Sequence, residues 1–94
     1  MPVQRLHVLV SGRVQGVGFR YFSYISGVNL NLTGWVRNRI NGDVEILAEG
    51  SRSQLDILLS TVSKGPEMAH VSEVMVEWGD PRGDLPPFTI LDTR

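Results

Sequence analysis

The stretch Val10-Ser11-Gly12-Arg13-Val14-Gln15-Gly16-Val17-Gly18-Phe19-Arg20 sets three glycines within seven residues, between an alternating apolar run and a helical pattern. Glycine tolerates positive φ and lets a ligand approach the backbone closely. A turn from a strand into a helix N-terminus leaves several N–H groups without partners. Those donors, with the positive end of the helix dipole, form a site for an anion such as phosphate. Arg20 falls in the first helical turn, where its planar fork can add two charge-assisted hydrogen bonds to the same anion. A plain strand-to-helix connection, with glycines for geometry alone, would show similar spacing. Two features weigh against that reading: the position of Arg20, and a second polar constellation, Trp35-Val36-Arg37-Asn38, one helix later. Neither G-x-G-x-x-G nor G-x-x-x-x-G-K-[ST] is present, since the only lysine is Lys64, followed by Gly65.

Outward from this loop the chain divides cleanly. Leu6, Val8 and Val10 alternate with Arg5, His7 and Ser11, which predicts a strand over about 4–11. A helix is expected from Phe19 to Leu30, with Phe22, Ser26 and Leu30 on the sheet side and Phe19 near their stripe. Gly27 inside it costs on the order of 1 kcal/mol against alanine, so it marks a close approach of helix to sheet. Asn31 stands where the helix should stop in the left-handed region. Strands are expected over Trp35 to Arg39 and Asp43 to Glu49, joined by an Asn41-Gly42 hairpin turn. Ser51-Arg52-Ser53-Gln54 matches a capping box. Leu55, Leu58, Leu59 and Val62 follow at helical spacing, and Lys64-Gly65-Pro66 ends that helix. Val74, Val76 and Trp78 predict a strand over about 70–79. A Pro- and Gly-rich loop over 79–87 and a short strand over 88–91 close the chain. The order β-α-β-β-α-β with a short fifth strand predicts an α+β, ferredoxin-like split βαβ sandwich, a mostly antiparallel sheet with two helices on one face.

Composition narrows the function. Ninety-four residues at 41% apolar suit one globular domain over 1–94. No apolar run approaches the roughly 18–20 residues of a membrane span. The N-terminus, Met1-Pro2-Val3-Gln4-Arg5, lacks a secretory pattern, and cysteine is absent, so a cytoplasmic location is expected. With no thiol and two histidines, no metal or other cofactor is expected. His7 and His70 read as structural, and Asn31-Leu32-Thr33, although a glycosylation sequon, has no secretory signal to give it meaning.

Gly12-Arg13-Val14-Gln15-Gly16-Val17-Gly18-Phe19-Arg20 resembles the first signature of the acylphosphatases. Gly34-Trp35-Val36-Arg37-Asn38, followed by Gly42-Asp43-Val44 and Gly50, resembles their second. Order and spacing match, and the resemblance spans nearly the whole chain. It implies a ferredoxin-like fold, which agrees with the independent reading of the elements. It also implies hydrolysis of acyl phosphates, which are carboxyl–phosphate mixed anhydrides, to carboxylate and inorganic phosphate without a metal or covalent intermediate. By this resemblance the substrate phosphate is held by the loop 13–19 amides, with Gln15, Gly16, Val17, Gly18, Phe19 and Arg20 as phosphate-binding residues. Arg20 and Asn38 are the implied catalytic pair, Asn38 orienting the attacking water. The small-molecule acyl phosphate and its product or inhibitor, inorganic phosphate, are the implied ligands. The family more often has glycine at the position of Asn31.

The residues alone leave alternatives open. Asn38 could equally be a strand-end residue bonded to the hairpin backbone. A non-catalytic anion-binding module would carry the same loop; the resemblance adds a role in maturing another protein, since acylphosphatase-like domains also occur inside larger proteins. An RNA-binding sheet is disfavoured because the outward positions Glu45, Glu49, Glu73 and Glu77 read as an acidic surface. Arg37 and Arg39, pointing opposite to Asn38, read as solvated charges. No nucleic-acid or membrane partner is therefore expected. Tyr21, Ile25, Val28 and Leu32 form a second apolar row on the first helix, where the family more often has charges. Either that helix is deeply seated, or the row is exposed and supports weak self-association of an otherwise monomeric protein.

Overall fold

The structure is a computed structural model and describes residues 2–94. The chain runs β1 (Val3–Arg13), α1 (Phe19–Asn29), β2 (Thr33–Asn38), β3 (Val44–Ser51), α2 (Arg52–Lys64), β4 (His70–Gly79) and β5 (Thr89–Ile90). The five strands form one sheet in the order β4-β1-β3-β2-β5. All neighbours are antiparallel except β2 and β5, which run parallel. Both helices pack on one face of this sheet and touch each other. The predicted ferredoxin-like α+β fold is the observed one.

Alternation sets the core. Leu6, Val8 and Val10 of β1 pair with Ala48, Ile46 and Val44 of β3, and all six are fully buried beneath the helices. Val36 joins them from β2, and Leu55, Leu58 and Val62 from α2. Ser51 caps α2, its hydroxyl accepting from the Gln54 N–H at 3.4 Å, so the Ser51-to-amide half of the expected capping box forms.

α1 turns a different face to the sheet from the one its apolar spacing predicts. The buried stripe is Phe19, Ser23 and Gly27, while Phe22, Ser26 and Leu30 are half-buried. Small residues let the helix settle closely. Ser23 disposes of its hydroxyl by donating to the Phe19 carbonyl at 2.9 Å. A Cβ at Gly27 would lie 2.5 Å from the Phe88 ring, so the expected close approach is real and Phe88 is its partner. Asn31 adopts φ 55°, and the bonds Leu32 N–H to Gly27 O (3.0 Å) and Asn31 N–H to Val28 O (3.0 Å) complete a Schellman stop. The second apolar row divides: Tyr21 is 64% exposed, Ile25 and Val28 are partly exposed, and Leu32 is core.

The open face corrects two further expectations. Glu45 and Glu49 are buried, not members of a bare acidic surface. Glu45 accepts from Arg37 Nε at 2.8 Å and bonds His7 Nε2 at 2.6 Å, and Arg39 approaches at 3.3 Å. Arg37 also stacks on Trp35 at 4.5 Å, so it is a packed, paired cation and not a freely solvated one. Glu49 accepts from Arg5 at 2.7 Å and from the N–H groups of Arg82 and Gly83 at 2.9 and 3.0 Å. The 79–87 loop is thereby fastened to the sheet.

Burial would raise both glutamates, but their hydrogen bonds and cationic neighbours outweigh it and hold both below the ordinary carboxylate range. A depressed folded-state pKa contributes stability above the unfolded value, about 4.3 for glutamate. That contribution is lost as the pH falls through the lower folded-state value. Glu49→Gln should therefore cost about 1 kcal/mol at neutral pH. Its urea midpoint should converge on that of wild type as the pH falls below the ordinary carboxylate range.

Candidate active site

Antiparallel pairing of β3 with both β1 and β2 makes β1 and β2 parallel to each other. Their C-terminal ends therefore lie at the same end of the sheet. The loop over 14–18 leaves β1 there, and Asn38 is the last residue of β2. In register, Asn38 pairs with Val44, and its side chain shares the helix-facing side with Val36. The topology thus brings Asn38 to the mouth of the glycine loop, a juxtaposition that strand patterning could not reveal.

A cavity of about 350 Å³ opens between them, lined by Val14, Gly16, Gly18, Phe19, Arg20, Tyr21, Asn38 and Ile90. Gly16 and Gly18 take φ values of 75° and 80°, and a Cβ at either would meet nothing within 4 Å. Backbone conformation, not space, demands glycine at both positions. Gly18 is the N-cap of α1 and supplies no side-chain acceptor. The Phe22 N–H bonds the Gly18 carbonyl at 3.0 Å, so the N–H groups of Phe19, Arg20 and Tyr21 precede the intrahelical ladder. No acidic residue occupies the first turn, and Arg20 does. A cation at the positive end of a helix is unfavourable by the dipole argument. An anion bound there relieves both charges at once.

Not every residue of the loop presents its side chain to the cavity. Val17 packs against the core cluster. Gln15 turns away and donates through Nε2 to the carbonyls of Arg39 and Asp43, at 2.8 and 2.9 Å. Val14, named only as part of the 13–19 loop, also lines the cavity, and so do two residues outside both motifs, Tyr21 and Ile90. Val14 and Ile90 give no chemical signal in the sequence; Tyr21 was visible only as part of the apolar row. Asn38 is 9% exposed, and its backbone carbonyl accepts from the Arg94 N–H at 3.1 Å. No buried side-chain polar atom among the described residues lacks a partner. Among the same residues no cluster of three His, Asp or Glu side chains could hold a metal ion, and no helix is long and apolar enough to cross a membrane.

The acylphosphatase family model matches residues 6–90. The chain belongs to the acylphosphatase family. It is 48% identical over 84 residues to the acylphosphatase of Moorella thermoacetica, covering 89% of this chain and 90% of that one. The structure is similar to the crystal structure of acylphosphatase from Bacillus subtilis with a TM-score of 0.89 at 38% identity, over 94% of this chain and 98% of that one. A full-length HypF structure matches at TM-score 0.87 and 25% identity, covering 97% of this chain but 12% of that one. The protein is thus an acylphosphatase, an enzyme whose substrates are small acyl phosphates.

Proposed function

We propose that this acylphosphatase holds the phosphoryl group of its substrate between the 13–19 loop amides, with Gln15, Gly16, Val17, Gly18 and Phe19 contributing through the backbone, and the Arg20 guanidinium. Asn38 orients the water that attacks in line. The observation that carries this reading is the convergence on one cavity of a cation, an N-terminus with no side-chain cap and a carboxamide. A carboxamide suits the task, because its oxygen accepts from water while its NH₂ group donates to the substrate. In the step itself the water oxygen bonds phosphorus and the bond from phosphorus to the acyl oxygen breaks. The electron pair leaves with the carboxylate, and the water proton passes to product phosphate or solvent. Phosphoryl transfer of this kind depends mainly on positioning and charge stabilisation. A carboxylate is a good leaving group, so no strong general base is needed.

The reading requires neither a metal nor a second chain, since Arg20 and the loop amides supply the positive charge and Asn38 comes from the same chain. We further propose that the chain acts as a single, cytoplasmic domain without nucleic-acid or membrane partners. Glu73 and Glu77 remain exposed on β4, and Arg37 and Arg39 are engaged by Glu45, which leaves the open face without free basic side chains on β2.

Three outcomes are expected. Arg20→Ala should lower turnover of a simple acyl phosphate about a thousandfold or more and weaken binding of inorganic phosphate measured by calorimetry. Arg20→Lys should recover little, because a point charge does not reproduce the fork. An Arg20→Ala protein that binds phosphate as wild type does would overturn the assignment. Asn38→Ala should instead keep its phosphate affinity while kcat falls about a hundredfold, the signature of an interaction made mainly in the transition state. Turnover should also survive exhaustive chelation; loss of activity restored by one added metal would refute metal independence.

A further inference from the structure

Gln15 belongs to the loop that precedes α1, yet its side chain reaches across the sheet end to the β2–β3 hairpin. Both protons of its NH₂ group are committed, one to the Arg39 carbonyl at 2.8 Å and one to the Asp43 carbonyl at 2.9 Å. These two residues close the hairpin: the Arg39 N–H donates to the Asp43 carbonyl at 2.8 Å. Arg39 directly follows Asn38 in sequence. The grip therefore falls one residue beyond the carboxamide assigned to the water.

The hairpin is closed without this contribution. The Asp43 carbonyl already accepts from Arg39, and the Arg39 carbonyl accepts from the Gly42 N–H at 3.1 Å. What Gln15 adds is a link between two separate segments, the one that carries Arg20 and the one that carries Asn38. A second tether, Ser11 Oγ to Asp43 Oδ1 at 2.9 Å, starts from β1, ahead of the loop, and does not fix the loop itself. On the opposite side Arg94 holds the Asn38 backbone carbonyl. Asn38 is thus braced from both flanks, and Gln15 is the brace that refers it to the phosphate-binding loop.

We infer that Gln15 is a positioning residue for Asn38, setting where its carboxamide stands relative to the bound phosphoryl group. This rests on the assignment of Asn38 to the attacking water. It differs from a loop-stiffening role in a measurable way. A brace that works through Asn38 has nothing left to position once that side chain is removed, whereas a brace for the loop continues to matter.

The test is a double-mutant cycle on acyl phosphate hydrolysis, with phosphate affinity and thermal melting measured beside it. Gln15→Met keeps the side-chain length and removes both donors. It should lower kcat about tenfold while leaving the phosphate dissociation constant within about twofold. In the Asn38→Ala background the same change should have almost no further effect on kcat. An equal loss of kcat in both backgrounds would overturn the inference. So would a parallel loss of phosphate affinity, unchanged kcat in a folded Gln15→Met protein, or collapse of the fold, which would assign both bonds to stability. If Asn38→Ala alone leaves kcat intact, the water assignment itself fails and this inference falls with it.

Discussion

The interposition of β3 between β1 and β2 is the constraint on which the site depends. Two antiparallel pairings in succession make the outer strands parallel, so both deliver their C-terminal ends to one edge of the sheet. At strand spacing those ends stand roughly 10 Å apart. On the proposed reading, that gap holds a phosphoryl group and a water between the glycine loop and the Asn38 side chain. Had β2 paired directly with β1 as a hairpin, Asn38 would have stood at the far end of the sheet from the loop. The split connection through α1 is therefore what makes a site possible, and the helix serves twice, since its N-terminus forms one wall.

Charge is handled in opposite ways on the two faces of the sheet. On the open face each buried carboxylate is satisfied within the protein, Glu45 by Arg37, Arg39 and the His7 ring and Glu49 by Arg5 and two backbone amides. At the mouth of the loop the positive groups are gathered without an internal counter-charge: Arg20 takes part in none of the ion pairs among the described residues. Neutralised charge stabilises the sheet and exposes no field. Unneutralised charge at a helix N-terminus costs stability in the free protein, and that cost is relieved by an anionic ligand. Function and fold thus draw on the same interaction with opposite signs.

Much of this was legible in the amino-acid sequence. β4 runs over 70–79 as its alternation requires, and α2 starts at its capping serine and ends at Lys64-Gly65. Asn31 takes the left-handed stop that its position suggested. Where legibility failed, the cause is physical. α1 buries Ser23 and Gly27, residues that carry no apolar signal: at Gly27 the Phe88 ring needs the room that a side chain would fill, and Ser23 hides its hydroxyl on the Phe19 carbonyl. Asn41-Gly42 does mark the hairpin, but the Gly42 N–H bonds the Arg39 carbonyl, so Ile40 and Asn41 form the turn and Gly42, at φ 102°, follows it. Alternation correctly put Glu45 and Glu49 on the open face, yet it says nothing about partners on other strands, and those partners bury them. The cavity residue Ile90 was invisible for a similar reason: an apolar residue in a short final strand gives no hint of what it will face.

On the proposed reading, the carboxamides of Gln15 and Asn38 show how one functional group serves two ends. Gln15 spends both protons on backbone carbonyls, and its geometry is fixed by them. Asn38 sits on the cavity wall at the end of a strand whose neighbours on both sides are hydrogen-bonded. A water-orienting group must be held within fractions of an ångström while leaving its own donors and acceptors for the reacting species. A side chain cannot do both with its own polar atoms. The solution in this fold is to immobilise Asn38 through its backbone, by pairing with Val44, by the Arg94 amide and by the hairpin closed at Arg39. Those main-chain bonds leave the carboxamide free for the role proposed for it. In a small domain with few side chains to spare around its site, main-chain anchoring is the means that leaves the fewest polar side-chain atoms occupied.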